Sequence, residues 1–128
     1  MKYLIDTHTL LWILTDDSRL SKKAKRYYLD PQNEILFSMA GIWELAIKSS
    51  LGRLSLEKSL EEFVMKHIKG NDIGILHIEL PHVLRVEQLP FHHRDPFDRL
   101  LISQSIENDL PIISSDKTLD RYRIQRIW

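Results

Sequence analysis

The chain has 128 residues, the length of one ordinary domain that buries roughly two-thirds of the surface its unfolded form exposes. Its 18 basic and 18 acidic residues cancel to a formal net charge of zero. That excludes the uniform basic field behind tight nonspecific nucleic-acid binding, so any nucleic-acid contact has to use local patches or metal ions. With no cysteine there is no disulfide framework and no thiolate chemistry.

The opening run Tyr3-Leu4-Ile5 reads as a short strand buried on both faces. It meets an acid at Asp6, too early for a signal-peptide core, and no apolar run in the chain approaches the roughly 18 residues of a membrane span. A cytoplasmic protein without membrane contact is expected. Thr7 can cap the helix that follows, built on Leu10, Leu11, Trp12, Ile13 and Leu14. A second helix is expected from Ser21 to Leu29, with Lys22, Lys23, Lys25 and Arg26 on its exposed side. Beyond the turn Asp30-Pro31-Gln32-Asn33 comes a second strand, Glu34 to Phe37. Ser38 is a good N-cap for a third helix, Met39 to Leu51, which Gly52 is placed to stop. Glu44 lies within it, four residues before Lys48 in the favourable order for an ion pair.

Further on, the apolar spacing of Leu60, Phe63, Val64 and Ile68 predicts an amphipathic helix over 56–67. A third strand is expected over 73–78 and a short helix over 79–88, with Pro81 in its first turn and Pro90 beyond its end. The stretch His92-His93-Arg94-Asp95-Pro96-Phe97-Asp98 then announces a helix start. Asp95 sits at the N-cap, Pro96 at the first helical position, and Asp98 at the third, over the positive end of the helix. Phe97, Leu100, Leu101 and Ile106 give this helix an apolar side. Pro111 to Ser114 is the next strand, Asp116 follows in its turn, and a final short helix through Leu119 and Tyr122 leads to an edge strand over 124–128.

Strands and helices alternate along the whole chain, which predicts an α/β domain spanning 1–128. It is expected to have three layers, α/β/α, around a mostly parallel sheet of about five short strands. Parallel strands present their carboxyl ends together, and ligands bind at that edge. Asp6 and Asp116 directly follow strands, and Asp98 opens a helix returning from the same edge. Glu44 sits one and a half turns past a strand end and leans toward that edge. Each acid also has a purely structural reading as a cap, a first-turn charge or a partner of Lys48. Converging carboxylates repel one another, and a hard divalent cation, Mg²⁺ or Mn²⁺, removes that cost. The absence of cysteine and of a paired-histidine spacing argues against zinc. Thr7 is either a cap or a hydrogen-bond partner of a ligand carboxylate. Arg94, His92 and His93 are candidate phosphate contacts or solvated loop residues. Tyr3, Trp12, Trp43 and Tyr122 read as core rather than as base-stacking platforms.

Four pieces carry a resemblance: Tyr-Leu-Ile-Asp-Thr-His-Thr-Leu-Leu-Trp at 3–12, Ser-Met-Ala-Gly-Ile-Trp-Glu-Leu-Ala-Ile-Lys at 38–48, His-Arg-Asp-Pro-Phe-Asp-Arg-Leu-Leu-Ile-Ser-Gln-Ser at 93–105 and Ile-Ile-Ser-Ser-Asp at 112–116. In order, spacing and total length the chain resembles PIN-domain ribonucleases of the VapC-like type, the toxins of bacterial toxin–antitoxin pairs. Positions 49–91 match less specifically. The resemblance implies that Asp6, Glu44, Asp98 and Asp116 form an acidic metal-binding and catalytic cluster, with Asp95 as a cap or supporting residue. It further implies Mg²⁺-dependent hydrolysis of RNA by an activated water to a 5′-phosphate product, a cognate antitoxin protein as partner, and a homodimer. Two other readings stand beside this one. A phosphatase with Asp6 as nucleophile wants a second acid two positions on, where His8 stands. A catalytically silent domain of the same fold would bind RNA or a protein without needing four mutually repelling acids.

Overall fold

The computed structural model describes residues 1–56 and 58–128. Five strands form one sheet: β1 (Lys2–Ile5), β2 (Glu34–Ser38), β3 (Gly74–Leu76), β4 (Ile112–Ile113) and β5 (Arg126–Ile127). All pairings are parallel, and the order across the sheet is β3-β2-β1-β4-β5. Tyr3 lies beside Ile35 and Ile5 beside Phe37 and Ile113. Successive side chains on a strand point to opposite faces, and the strands here are apolar on both. Tyr3, Ile5, Ile35, Phe37, Ile113 and Ile127 pack into one core, whereas Leu4, Leu36 and Ile112 pack into a second.

Helices cover both cores and make the three-layer α/β/α arrangement. The first core is closed by α1 (Thr7–Thr15), α2 (Lys22–Leu29) and α3 (Met39–Ser50) through Leu10, Ala24 and Leu45, with Ile68 added from a later segment. The second is closed by Leu101 and Ile102 of α6 (Pro96–Asn108) and by Leu89, Leu119 and Tyr122. Each fully buried Leu or Ile contributes about 1.5–3 kcal/mol. No helix among the described residues is long and apolar enough to cross a membrane.

Several ends move from where sequence spacing alone puts them. The helix expected over 56–67 begins only at Leu60, because the Ser59 hydroxyl accepts from the Glu62 amide and starts it there. Glu57, which falls in the expected span, lies outside the described residues. This helix, α4 (Leu60–Phe63), widens into a π-helical turn, Val64–Ile68, and a 3₁₀ turn, Lys69–Asn71. The short helix α5 (Leu80–Val86) is held at its start by a reciprocal cap: His82 Nδ1 accepts from the Glu79 amide at 3.0 Å. The closing helix is a 3₁₀ segment, Lys117–Arg121, rather than an α-helix through Tyr122. Gly52 ends α3 in the left-handed region, φ +71°, where a Cβ would be strained.

The buried side of α6 also differs from the apolar stripe Phe97-Leu100-Leu101-Ile106. Arg99, Leu101, Ile102, Ser103, Gln104 and Ser105 are the buried residues. With the sheet on one side and α5 packed on another, the helix buries positions that periodicity assigns to water. Polar groups there are satisfied locally: the Ser103 hydroxyl donates to the His82 carbonyl, and Gln104 bridges the Ser38 hydroxyl to the His77 carbonyl.

Candidate active site

The chain leaves β1 toward β2 and β3 on one side, then returns to place β4 and β5 on the other. The order therefore reverses between β1 and β4, and the carboxyl ends of those strands open a crevice. Asp6 stands at one lip. It is itself the N-cap of α1, accepting from the Thr9 amide at 2.8 Å, so Thr7 is not the cap. The other carboxylate oxygen of Asp6 accepts from the Ser114 hydroxyl, across from the end of β4. Ser114 also accepts from the Asp116 amide at 3.1 Å and so ties the two lips together. Sequence reasoning did not single it out; its signal is a serine between strand and acid.

Freed from capping, the Thr7 hydroxyl donates to Glu44 Oε1 at 2.7 Å. Lys48 holds the other oxygen at 2.9 Å, the ion pair expected from their spacing. Glu44 reaches the crevice because α3 passes close over β2. Gly41 permits that approach, since a Cβ there would overlap the Phe37 ring.

At the start of α6, Asp95 caps the helix, accepting from the Phe97 and Asp98 amides at 2.8 and 3.2 Å. Asp98 then faces inward. Asp6, Thr7, His8, Glu44, Lys48, Asp95, Phe97 and Asp98 line one cleft of about 120 Å³ with apolar walls from Ile5, Phe37 and Leu101. Burial pushes the Asp98 carboxyl up to about 6; Asp95 adds to this, His93 opposes it, and Glu44 and Asp116 raise it further. A folded-state pKa above the ordinary 3.8 means stability is fully present below that value and lost as pH rises through about 6. Without metal, Asp98→Asn should therefore melt above the parent at pH 8. Allowing for solvent screening of a half-buried group, the gain is about 1–2 kcal/mol, or roughly 3–8 °C. Near pH 4 the gap should close. A mutant melting lower than the parent at pH 8 would mean that Asp98 is only a favourable first-turn charge.

Asp116 does not line the cleft but acts on Asp98 from beside it. It caps the last 3₁₀ segment, accepting from the Thr118 amide at 3.0 Å, and its second oxygen accepts from His93 Nε2 at 2.6 Å. His93, read from sequence as a phosphate contact or solvated, is buried, whereas His92 and Arg94 are exposed. Tyr122 explains the difference. Its hydroxyl accepts from the His93 amide at 3.0 Å and lies 3.1 Å from His93 Nδ1. Arg99 closes the support from below, its guanidinium donating to the carbonyls of Val86, Leu89, Pro90 and His93.

The donor set is oxygen-rich, mutually repelling and partly desolvated, which suits a hard divalent cation. Among the described residues, no three carboxylate or imidazole groups are gathered closely enough to enclose an ion. Mg²⁺ needs no such cage, because it keeps several waters and takes one or two carboxylates besides substrate phosphates. Asp98 is the acid least engaged by the protein: hydrogen bonds or the Lys48 ion pair orient both oxygens of Asp6, Glu44 and Asp116, whereas hydrogen bonding plays no part in the Asp98 shift.

The model of the PIN domain family matches residues 3–125. The chain belongs to the PIN domain family. Among solved structures, this PIN domain is similar to a chain in the crystal structure of VapBC2 from Rickettsia felis bound to a DNA fragment from their promoter. The TM-score is 0.72 at 13% identity, covering 98% of this chain and 97% of that one. At that identity the likeness concerns the fold. No curated protein sequence matches.

Proposed function

We propose that this PIN domain is a divalent-metal-dependent endoribonuclease and the toxin of a toxin–antitoxin pair. The observation that carries the reading is the meeting of Asp6, Glu44 and Asp98, from three distant segments, in one cleft beside Asp116. The solved relative is described as a VapBC complex, which supports an antitoxin partner here. An antitoxin arginine would compete for the same carboxylates, since guanidinium–carboxylate pairs are strong and geometrically specific. The protein is also proposed to work as a homodimer, read out by sedimentation, in the cytoplasm.

In this reading Asp6 and Asp98 hold the cation, Mg²⁺ or alternatively Mn²⁺, with Glu44 and Asp116 completing the site. A cation there would supply Lewis acidity to a phosphate oxygen and lower the pKa of a water for attack on phosphorus. The protein's own part is orientation. Ser114 and the Thr9 amide fix the Asp6 carboxylate, Thr7 and Lys48 fix Glu44, and His93 and Thr118 fix Asp116. Phe97, Phe37 and Leu101 limit water at the cleft. The phosphatase alternative keeps the weakness already visible in the sequence, His8 where a second acid is wanted.

Incubating the purified protein with mixed RNA in Mg²⁺ or EDTA, and sequencing the ends, tests the activity. Fragments with 5′-phosphates only in Mg²⁺ are expected; intact RNA in both buffers would refute it. Mg²⁺ should also stabilise the fold without substrate, by roughly 2.7 kcal/mol at a hundred times its dissociation constant. That is on the order of 10 °C in melting temperature. The Asp98→Asn protein should respond less, and equal responses would place the ion elsewhere.

A further inference from the structure

Trp43 is the residue next to Glu44, yet 53% of it is exposed, contrary to its reading as core. It does not line the cleft. Its ring meets Phe97 edge to face, with centroids 5.0 Å apart and planes 79° apart, and Phe97 is a wall of the cleft and the neighbour of Asp98. A T-shaped contact engages at most one face of each ring, so much of the indole stays in water beside the acids. That leaves a broad aromatic face open at the rim for a flat partner.

The cleft says what that is. At about 120 Å³ it is well below the roughly 300 Å³ at which small-ligand pockets begin. It has room for a phosphate group and waters, while the base attached to that phosphate has to lie on the rim. Resting on the nuclease reading, we propose that Trp43, braced by Phe97, is the rim platform on which an unpaired base beside the scissile phosphate stacks. Stacking is available to every base because each has a π-face, so Trp43 would favour single-stranded substrate without reading a sequence. A paired base keeps its faces inside the helix and gains nothing from it.

The test begins from a cleavage site mapped on single-stranded RNA with the wild-type protein. A short oligonucleotide spanning that site is then compared intact, annealed to its complement, and with each flanking base removed in turn. Trp43→Ala should raise KM on the intact single strand by roughly 5- to 150-fold. Trp43→Phe should restore most of the loss, and kcat should change little. Removing the stacked base should weaken cleavage by the wild type and have little further effect on Trp43→Ala. On the duplex, the two proteins should be equally poor. Unchanged KM for Trp43→Ala, with every base-free strand cleaved normally, overturns the proposal. So does loss of self-association in sedimentation with RNA affinity intact, which would make Trp43 a contact between copies. Absence of cleavage by the wild type would instead refute the nuclease reading itself, before Trp43 enters.

Discussion

Asp98→Asn is expected to lower RNA cleavage at least about 100-fold while leaving the protein folded. Losing a residue that merely supports a metal ligand already costs about 10- to 100-fold, and loss of a ligand should cost no less. The substitution preserves shape and removes the charge from the acid whose burial and neighbours most disfavour that charge. Asp6→Asn should do the same, since Asn still caps α1 by accepting from the Thr9 amide. Asp95→Asn should be mild, because the role seen for Asp95 is the helix cap, which Asn also fills. The measurement is a cleavage rate in Mg²⁺ beside a melting curve for each variant. Wild-type-like cleavage by a folded Asp98→Asn protein would remove Asp98 from the site, and equal loss at Asp95 would bring Asp95 into it.

Arg99→Met should be the most destabilising change near the site, by about 2–4 kcal/mol, on the order of 10 °C in melting temperature. Arg99 is 5% exposed and its guanidinium meets four carbonyls at 3.0–3.2 Å, with the centre of the Phe91 ring 4.1 Å from its carbon. Hydrogen bonds to a charged group contribute about 1.5–3 kcal/mol each, less the cost of burying the charge. Met keeps the apolar stem and loses every donor, leaving carbonyls of the 86–93 loop unpaired. Arg99→Lys should recover only part, because a compact ammonium lacks the planar fork that spans four acceptors. The loop also carries His93, so cleavage should fall further than the loss of folded protein explains. A melting temperature within a few degrees of the parent would show that water replaces the guanidinium and that the loop is held by other means.

The alternation of short apolar runs with helical spacing was enough to specify a parallel α/β sheet, because strands buried on both faces have to be apolar throughout. Local chemistry likewise announced the caps at Ser38 and Asp95, which bond to amides two or three residues away; Ser21, read as the first helical residue, proves to be a cap as well. Asp6, Asp98 and Asp116 stood out for their positions after strands and at a helix start, and Glu44 for lying one and a half turns past a strand end. Their assignment to one site draws on family resemblance as well as on the fold. What the sequence left open depends on neighbours distant along the chain. The burial of Arg99, Ser103 and Gln104 follows from α5 and the sheet enclosing α6 from two sides, which the periodicity of one helix does not encode. His93 is buried and His92 exposed because Tyr122, 29 residues on from His93, offers a hydroxyl to one of them. Trp43 is apolar and sits in an amphipathic helix, but only the arrangement of α3 against α6 leaves it at the rim of the cleft. The raised proton affinity of Asp98 has one local cause, the charge of Asp95 three residues before it, but its largest cause, desolvation, and the charges of Glu44 and Asp116 arrive only when the strand ends are assembled.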